Sequence, residues 1–246
     1  MIIYNPDLKI FYSTLINDSH YFSGFSSKEL GSARETENIF KFFSANNISF
    51  ENLVILNQIH STNIAIQQSF ISSDKIINLE DTDGVITKKT RAVLVIRNAD
   101  CVPLIFVDKS TGSVGISHQG WRGSLKNMAA KMLKTFLDQG SKVENLVCSI
   151  GPAIGSCCYD IDDDRYYDFL NQYYGYSDKI FIKKKGRWYL SLAQLNYLQL
   201  IEAKVQKDKI DYFPFCTKCD SKRFFSRRRT KTRKFEEMFN FIVKLK

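Results

Sequence analysis

Two short apolar runs lie close together near the middle of the chain, Arg91 to Arg97 ("RAVLVIR") and Val102 to Asp108 ("VPLIFVD"). Both are rich in β-branched residues and bounded by charges, the pattern of buried strands. Thr111 and Gly112 turn the chain into a third such run, "SVGISH", which ends at His118. After "QGWRG" the period changes. Leu125, Met128, Ala129, Met132, Leu133 and Phe136 fall on one face of a 3.6-residue repeat and predict an amphipathic helix, with Ser124 placed to cap it and Gly140 to end it. Further on, "NLVCSIG" (145–151) predicts a strand with Cys148 in the core. "KIFIKKKGRWYLSL" predicts a hairpin turning at Gly186, "LAQLNYLQLIEAKV" a helix and "KIDYFPF" a late strand. No repeat, low-complexity tract or linker interrupts this order. The pattern therefore implies a single mixed α/β (α+β) domain over residues 1–246, with mixed β-sheets flanked by helices.

With 246 residues, 44% hydrophobic and 25% charged, the composition is that of a globular protein. No run is long and apolar enough to span a membrane. The N-terminal stretch has no basic leader and is broken by Asn5, Pro6, Asp7 and Lys9, so a secretion signal is not expected and the protein is read as cytoplasmic. The six cysteines are then reduced thiols, available for metal or nucleophilic work. The net charge of +9 is local: Cys216 to Lys234 ("CTKCDSKRFFSRRRTKTRK") holds nine basic residues and one acid, a net of +8. Such a patch suits a solvated face, an anionic substrate or a nucleic acid. Phe224 and Phe225 within it favour a segment anchored on the domain over a free arm.

His60 ends the strand-like "VILNQIH", Cys101 opens the strand at 102, and His118 ends "SVGISH". Three good transition-metal ligands thus sit at expected strand ends, which can converge because adjacent strands lie about 4.8 Å apart. Two histidines and a cysteine leave a fourth position open, as in catalytic zinc sites, where the ion acidifies water toward pH ~7. The competing chemistry is Cys101 as nucleophile with His118 as its base. In "HQGWRGS", Arg122 and a glycine-rich turn are suited to an anion. The pair Cys216-x-x-Cys219 lacks a second pair that would complete a four-cysteine site, and Cys157 and Cys158, being adjacent, read as too constrained to ligate one ion comfortably and are expected to pack near the turn "GPAIGS".

Taken in order, "NQIHS", "DTDGVIT", "NADCVPLIFVD", "ISHQGWRGS", "IGPAIGSCCYDI" and "CTKCDSKRFFSRRR" resemble the laccase-domain (multicopper polyphenol oxidase-like) family, whose members are described as purine nucleoside phosphorylases. The resemblance runs from about Val54 to the C-terminus. It implies a fold like the catalytic domain of cytotoxic necrotizing factors, and zinc held by His60, Cys101 and His118, with copper the alternative ion. It also implies phosphorolysis of adenosine, inosine and methylthioadenosine, with deamination of adenosine as a second activity. The partners would be a small-molecule nucleoside and phosphate, with no nucleic acid and no membrane. Phosphate would be held by Arg122 and the "SRRR" arginines, Arg228 before Arg227, because Arg227 stands where the family usually has Tyr. Lys28 stands at a position where the family has Arg. Some members are linked instead to peptidoglycan-precursor editing, an amide hydrolysis that Cys101 and His118 would carry. Nucleic-acid binding through 216–234 is the reading from a different class.

Overall fold

Every residue of Val102–Asp108 is buried, and the alternation of its side chains accounts for the layering of the molecule. Leu104 and Phe106 pack into one cluster, with Met128, Met132 and Phe136 of a helix and Leu195 of another. Ile105 and Val107 face the other way, against Leu94, Ile96 and Ile242 of a second sheet. The far face of that sheet, through Val93, Val95 and Phe241, is covered by Ile39, Phe42 and Phe43 of the helix Thr36–Ala45. The order is helix, sheet, sheet, helices, and both sheets are buried on two sides. This explains why their central strands read as continuous apolar runs.

The computed structural model of the chain describes residues 1–67, 75–230, 232 and 234–246. Lys231 and Arg233 of the basic segment lie outside them. The first sheet has seven strands in the order Ile2–Asn5, Ile10–Ser13, Tyr21–Ser26, Met238–Lys244, Ala92–Asn98, Asn52–Leu56 and Ile76–Leu79. The second has six, in the order Ile210–Tyr212, Leu146–Ile150, Val102–Asp108, Ser113–Gln119, Gly84–Thr87 and Ile64–Gln67. Both mix parallel and antiparallel pairs. The expected hairpin, Phe181–Lys184 with Arg187–Leu190, forms a small antiparallel sheet with Asp160–Ile161. It turns at Lys185 and Gly186, whose φ values of 48° and 74° suit the left-handed two-residue loop of a hairpin.

Two local expectations change. The helix predicted to start after Ser124 is two helices, Trp121–Leu125 and Met128–Asp138. Asn127 breaks it by adopting φ 54° and capping Ala130 N–H with its own side chain, a conformation asparagine tolerates well. Ser124 is buried instead, where its hydroxyl accepts a hydrogen bond from Asn196 at 2.9 Å. The strand expected to end at His60 stops at Leu56, and His60 lies in the loop beyond it with φ 61°. Cys148 is fully buried, as its pattern implied, and burial pushes its thiol pKa upward.

Candidate metal centre and active site

Sheet register brings the ligand trio together. Gln119 pairs with Val102 and His118 with Pro103, so His118 lies beside the start of the strand that Cys101 precedes. On the other side Ser117 pairs with Gly84, which sets Asp83 against His118. The Asp83 carboxylate is fully buried and accepts from His118 Nδ1 at 2.8 Å, from Ser61 Oγ at 2.7 Å, and from the backbone N–H groups of Ile59, His60 and Ser61. One acid therefore fixes the imidazole of His118 and folds the loop that carries His60. Gln58 pins the same loop to the strand Ala92–Asn98 through two bonds to the Arg97 backbone. Gly120 supplies the room: a Cβ there would fall 2.4 Å from the His60 ring.

Because Nδ1 of His118 is engaged by Asp83, its Nε2 is the nitrogen that faces the site. The ligand atoms of His60, Cys101 and His118 all lie within 4.8 Å of one another, and Cys101 Sγ is 3.7 Å from His60 Nε2. Tetrahedral zinc, with Zn–S of about 2.3 Å and Zn–N of about 2.0 Å, requires an S···N separation of about 3.6 Å. The trio fits such an ion and leaves one position free. Burial alone would raise the Cys101 thiol, but His118 and His60 beside it bring its pKa down to about 6. Burial alone would lower His118, but Cys101 and Asp83 raise it to about 10. Both shifts favour a thiolate on Cys101 beside an imidazolium on His118. Asp83 is likewise held below the ordinary carboxylate range, since the hydrogen bonds from His118 and Ser61 outweigh its burial.

Asp100 has φ 91°, a conformation that costs a non-glycine residue about 1–3 kcal/mol. Its carboxylate is the compensation. It accepts from Thr217 Oγ1 at 2.6 Å, Ser226 Oγ at 3.0 Å and Arg228 N–H at 2.6 Å, all from the basic segment. The acid at the mouth of the core strand thus ties that segment beside Cys101. Asn98 completes the support by donating to the Cys101 carbonyl.

Two cavities share Cys101, Ala99 and Arg227. The larger, about 460 Å³, lies over the trio and is rimmed by Arg34, Arg97, Arg227, Phe235 and Glu237. The smaller, about 300 Å³, is bordered by Trp121, Tyr159, Arg165 and Arg228. The three adjacent arginines have separate tasks. Arg227 faces both cavities and stacks over Phe235. Arg228 borders the smaller cavity and bonds Asp160. Arg229 turns inward and donates to the carbonyls of Thr217, Lys218 and Phe224. Phe224 is fully buried against Phe11 and Phe213, so the segment is anchored as expected.

The remaining candidates lie elsewhere. Arg122 is exposed and stacks on Trp121, bordering neither cavity. Lys28 donates to the Ser221 carbonyl at 2.7 Å, also away from both. Asp83, Arg34 and Arg97 had no assigned role in the sequence reading, although "DTDGVIT" held the signal of an acid directly before a buried strand. Cys157 and Cys158, expected only to pack near a turn, meet Cys216 and Cys219 in a second thiol cluster.

The family model described as multi-copper polyphenol oxidoreductase laccase matches residues 27–244. A purine nucleoside phosphorylase of Rickettsia prowazekii is 32% identical over 206 residues, covering 82% of this chain and 80% of the relative. A protein named adenosine deaminase, from an unknown prokaryotic organism, is 29% identical over 187 residues, covering 74% of this chain and 71% of its own. Among solved structures, YlmD from Geobacillus stearothermophilus superimposes with a TM-score of 0.84 at 24% identity, covering 97% of each chain.

Proposed function

The chain belongs to the multi-copper polyphenol oxidoreductase laccase family, and from that premise we propose that it is a zinc-dependent purine nucleoside phosphorylase with adenosine deaminase activity. The observation that carries this reading is an open His₂Cys trio at the floor of a cleft whose rim holds three arginines and one glutamate. When bound, zinc supplies Lewis acidity and an activated water at the floor of that cleft. The chain's own residues do the rest. Asp83 keeps His118 in the tautomer that presents Nε2, and Asn98 and Asp100 hold Cys101 in register. Arg227, with Arg34 and Arg97, offers planar paired donors to a phosphate, a role that falls to them rather than to Arg122 or Lys28 because they line the cleft. Arg228 serves the same anion from the smaller cavity, the position its Asp160 contact leaves it. Fixing phosphate and nucleoside together in one cleft is the main contribution a phosphorylase makes to rate. The substrates are read as adenosine, inosine and methylthioadenosine, the set the family resemblance implies, of which adenosine is the one a relative is named for.

Copper redox chemistry of the multi-copper kind needs more imidazoles than converge here. The chain has three histidines, and His20 lies at an exposed turn beside Ser19. The thiolate–imidazolium pair supports a second reading, amide hydrolysis with Cys101 as nucleophile and His118 as acid–base group. Product analysis separates the two. Metal-loaded protein incubated with each nucleoside should yield free base and the matching sugar 1-phosphate (ribose 1-phosphate, or 5-methylthioribose 1-phosphate from methylthioadenosine) only when phosphate is present, and inosine from adenosine without it. Absence of any phosphate-dependent product from all three nucleosides would overturn the phosphorylase. Hydrolysis of an amide substrate that survives chelation but not alkylation of Cys101 would establish the alternative.

A further inference from the structure

The second thiol cluster lies outside both cavities and is built from two segments far apart in sequence. After the strand Leu146–Ile150, the chain makes a tight turn in which the N–H groups of Cys158 and Tyr159 both donate to the Gly155 carbonyl, presenting Cys157 and Cys158. Cys216 and Cys219 come from the segment following Ile210–Tyr212. Residues 153 and 216 are joined by a parallel bridge, and Thr217 N–H donates to the Ala153 carbonyl at 3.0 Å. The result is that Cys219 Sγ lies 3.5 Å from Cys157 Sγ and 3.4 Å from Cys158 Sγ, and all four sulfurs lie within 4.8 Å of one another.

These separations match a metal centre. Four thiolates around a tetrahedral ion at Zn–S of about 2.3 Å stand about 3.8 Å apart. A disulfide would need about 2.05 Å. The sulfur of Cys216 accepts the backbone N–H of Gly155 at 3.2 Å and also those of Lys218 and Cys219, the outer contacts that orient a thiolate ligand. Gly155 is where a side chain would crowd the cluster, since a Cβ would fall 3.3 Å from Cys157 Sγ. Four thiolates on a divalent cation carry a net charge of −2, and the cluster sits at the start of a segment whose net charge is +8. Thiol-only donor sets in tetrahedral arrangement select zinc over harder cations.

We propose that Cys157, Cys158, Cys216 and Cys219 form a second metal site, a closed four-thiolate zinc centre with a structural role. Uptake replaces the thiol protons by four Zn–S bonds and involves no change of oxidation state. The centre staples the 151–158 turn to the segment that supplies Thr217, Ser226 and Arg228 to Asp100, and so stiffens the backbone next to Cys101. The segment needs such a staple, because no helix or strand forms between Tyr212 and Met238 among the described residues.

The experiment is metal analysis of the full chain purified under reducing conditions. The unaltered protein should hold about two zinc ions, and Cys101→Ala and Cys157→Ser/Cys219→Ser about one each. In Cys101→Ala, cobalt(II) put in place of zinc should show intense thiolate-to-cobalt charge-transfer bands. That variant keeps the second cluster whole, so its result does not depend on how the double variant folds or on what the first site does. Equal zinc content in the unaltered and Cys157→Ser/Cys219→Ser proteins would overturn the proposal, as would a Cys101→Ala protein that takes up no cobalt. An intact mass showing disulfides among these four cysteines, with no metal bound to Cys101→Ala, would overturn it in favour of a redox pair.

Discussion

The two sulfur clusters use the same element in opposite ways. At His60, Cys101 and His118 a single thiol is flanked by imidazoles, one position stays open, and a cleft of about 460 Å³ lies above. The supports there are charged: Asp83 on His118, and Asp100 beside Cys101. At Cys157, Cys158, Cys216 and Cys219 all four positions are filled by sulfur, and the supports are backbone N–H groups. An open coordination position is what chemistry needs, and a closed one is what a loop-rich segment needs. The first cluster is assembled from a loop and two strand ends of the core, and the second from two irregular segments outside it. The difference predicts that each cluster can lose its metal while the other keeps its own.

The largest effect should come from Cys101→Ala. Nucleoside turnover should fall by about a thousandfold or more, equivalent to some 4 kcal/mol of barrier, while the four-thiolate metal is retained. Steady-state kinetics together with zinc content reads both, and turnover within tenfold of the unaltered protein would break the assignment of the first cluster. Asp83→Asn should come next. It leaves the three ligands in place but removes the negative charge that His118 Nδ1 donates to and turns one of the two oxygens into a donor, so zinc affinity at the first site should fall about 10–100-fold in a chelator competition, with no change at the second. Arg227→Ala should raise the apparent KM for phosphate by about tenfold, some 1.4 kcal/mol, with the KM for adenosine nearly unchanged.

A pH series on metal-free protein sharpens the contrast further. Cys101 is held down to about 6 once His118 and His60 have outweighed its burial, so its alkylation rate should persist as pH falls from 8 and drop only below about 6. In the second cluster burial and the neighbouring thiols push Cys157 and Cys158 upward, so those two should react only as pH rises well above neutrality. Mass mapping of the alkylated sites tests the order, and preferential labelling of Cys157 at pH 6.5 would contradict it. The smallest effect is expected at Arg122, which is exposed on Trp121. Arg122→Ala should change stability by no more than about 0.5 kcal/mol and leave phosphate kinetics alone.

Much of this was legible from the chain alone, for a local reason. The period-2 and period-3.6 patterns record which faces are buried, and they placed strands at 91–97, 102–108 and 113–118, within a residue of those that form, and the apolar stripe of Met128–Asp138. Residue type then marked His60, Cys101 and His118, because few side chains bind transition metals and these three lay close to apolar runs. The helix boundary was misplaced because Ser124 and Asn127 are both good caps, and only packing decides which one is buried. Arg122 looked suited to an anion because a glycine-rich turn with an arginine carries no information about which way the arginine faces.

Tertiary structure alone decided how distant residues meet. Asp83 supports His118 because Ser117 pairs with Gly84, a register that no local pattern encodes. Asp100 has no acceptor role that its neighbours in sequence explain, and Thr217, Ser226 and Arg228 arrive from more than a hundred residues away to satisfy it. The spacing C-x-x-C looked incomplete because its partners are adjacent cysteines about sixty residues earlier, on a turn whose path is set by Gly155. Hydrophobic periodicity reports burial one residue at a time, whereas a site is a coincidence of positions. That coincidence is fixed by strand register, by buried carboxylates that must find donors, and by the loops those bonds hold in place.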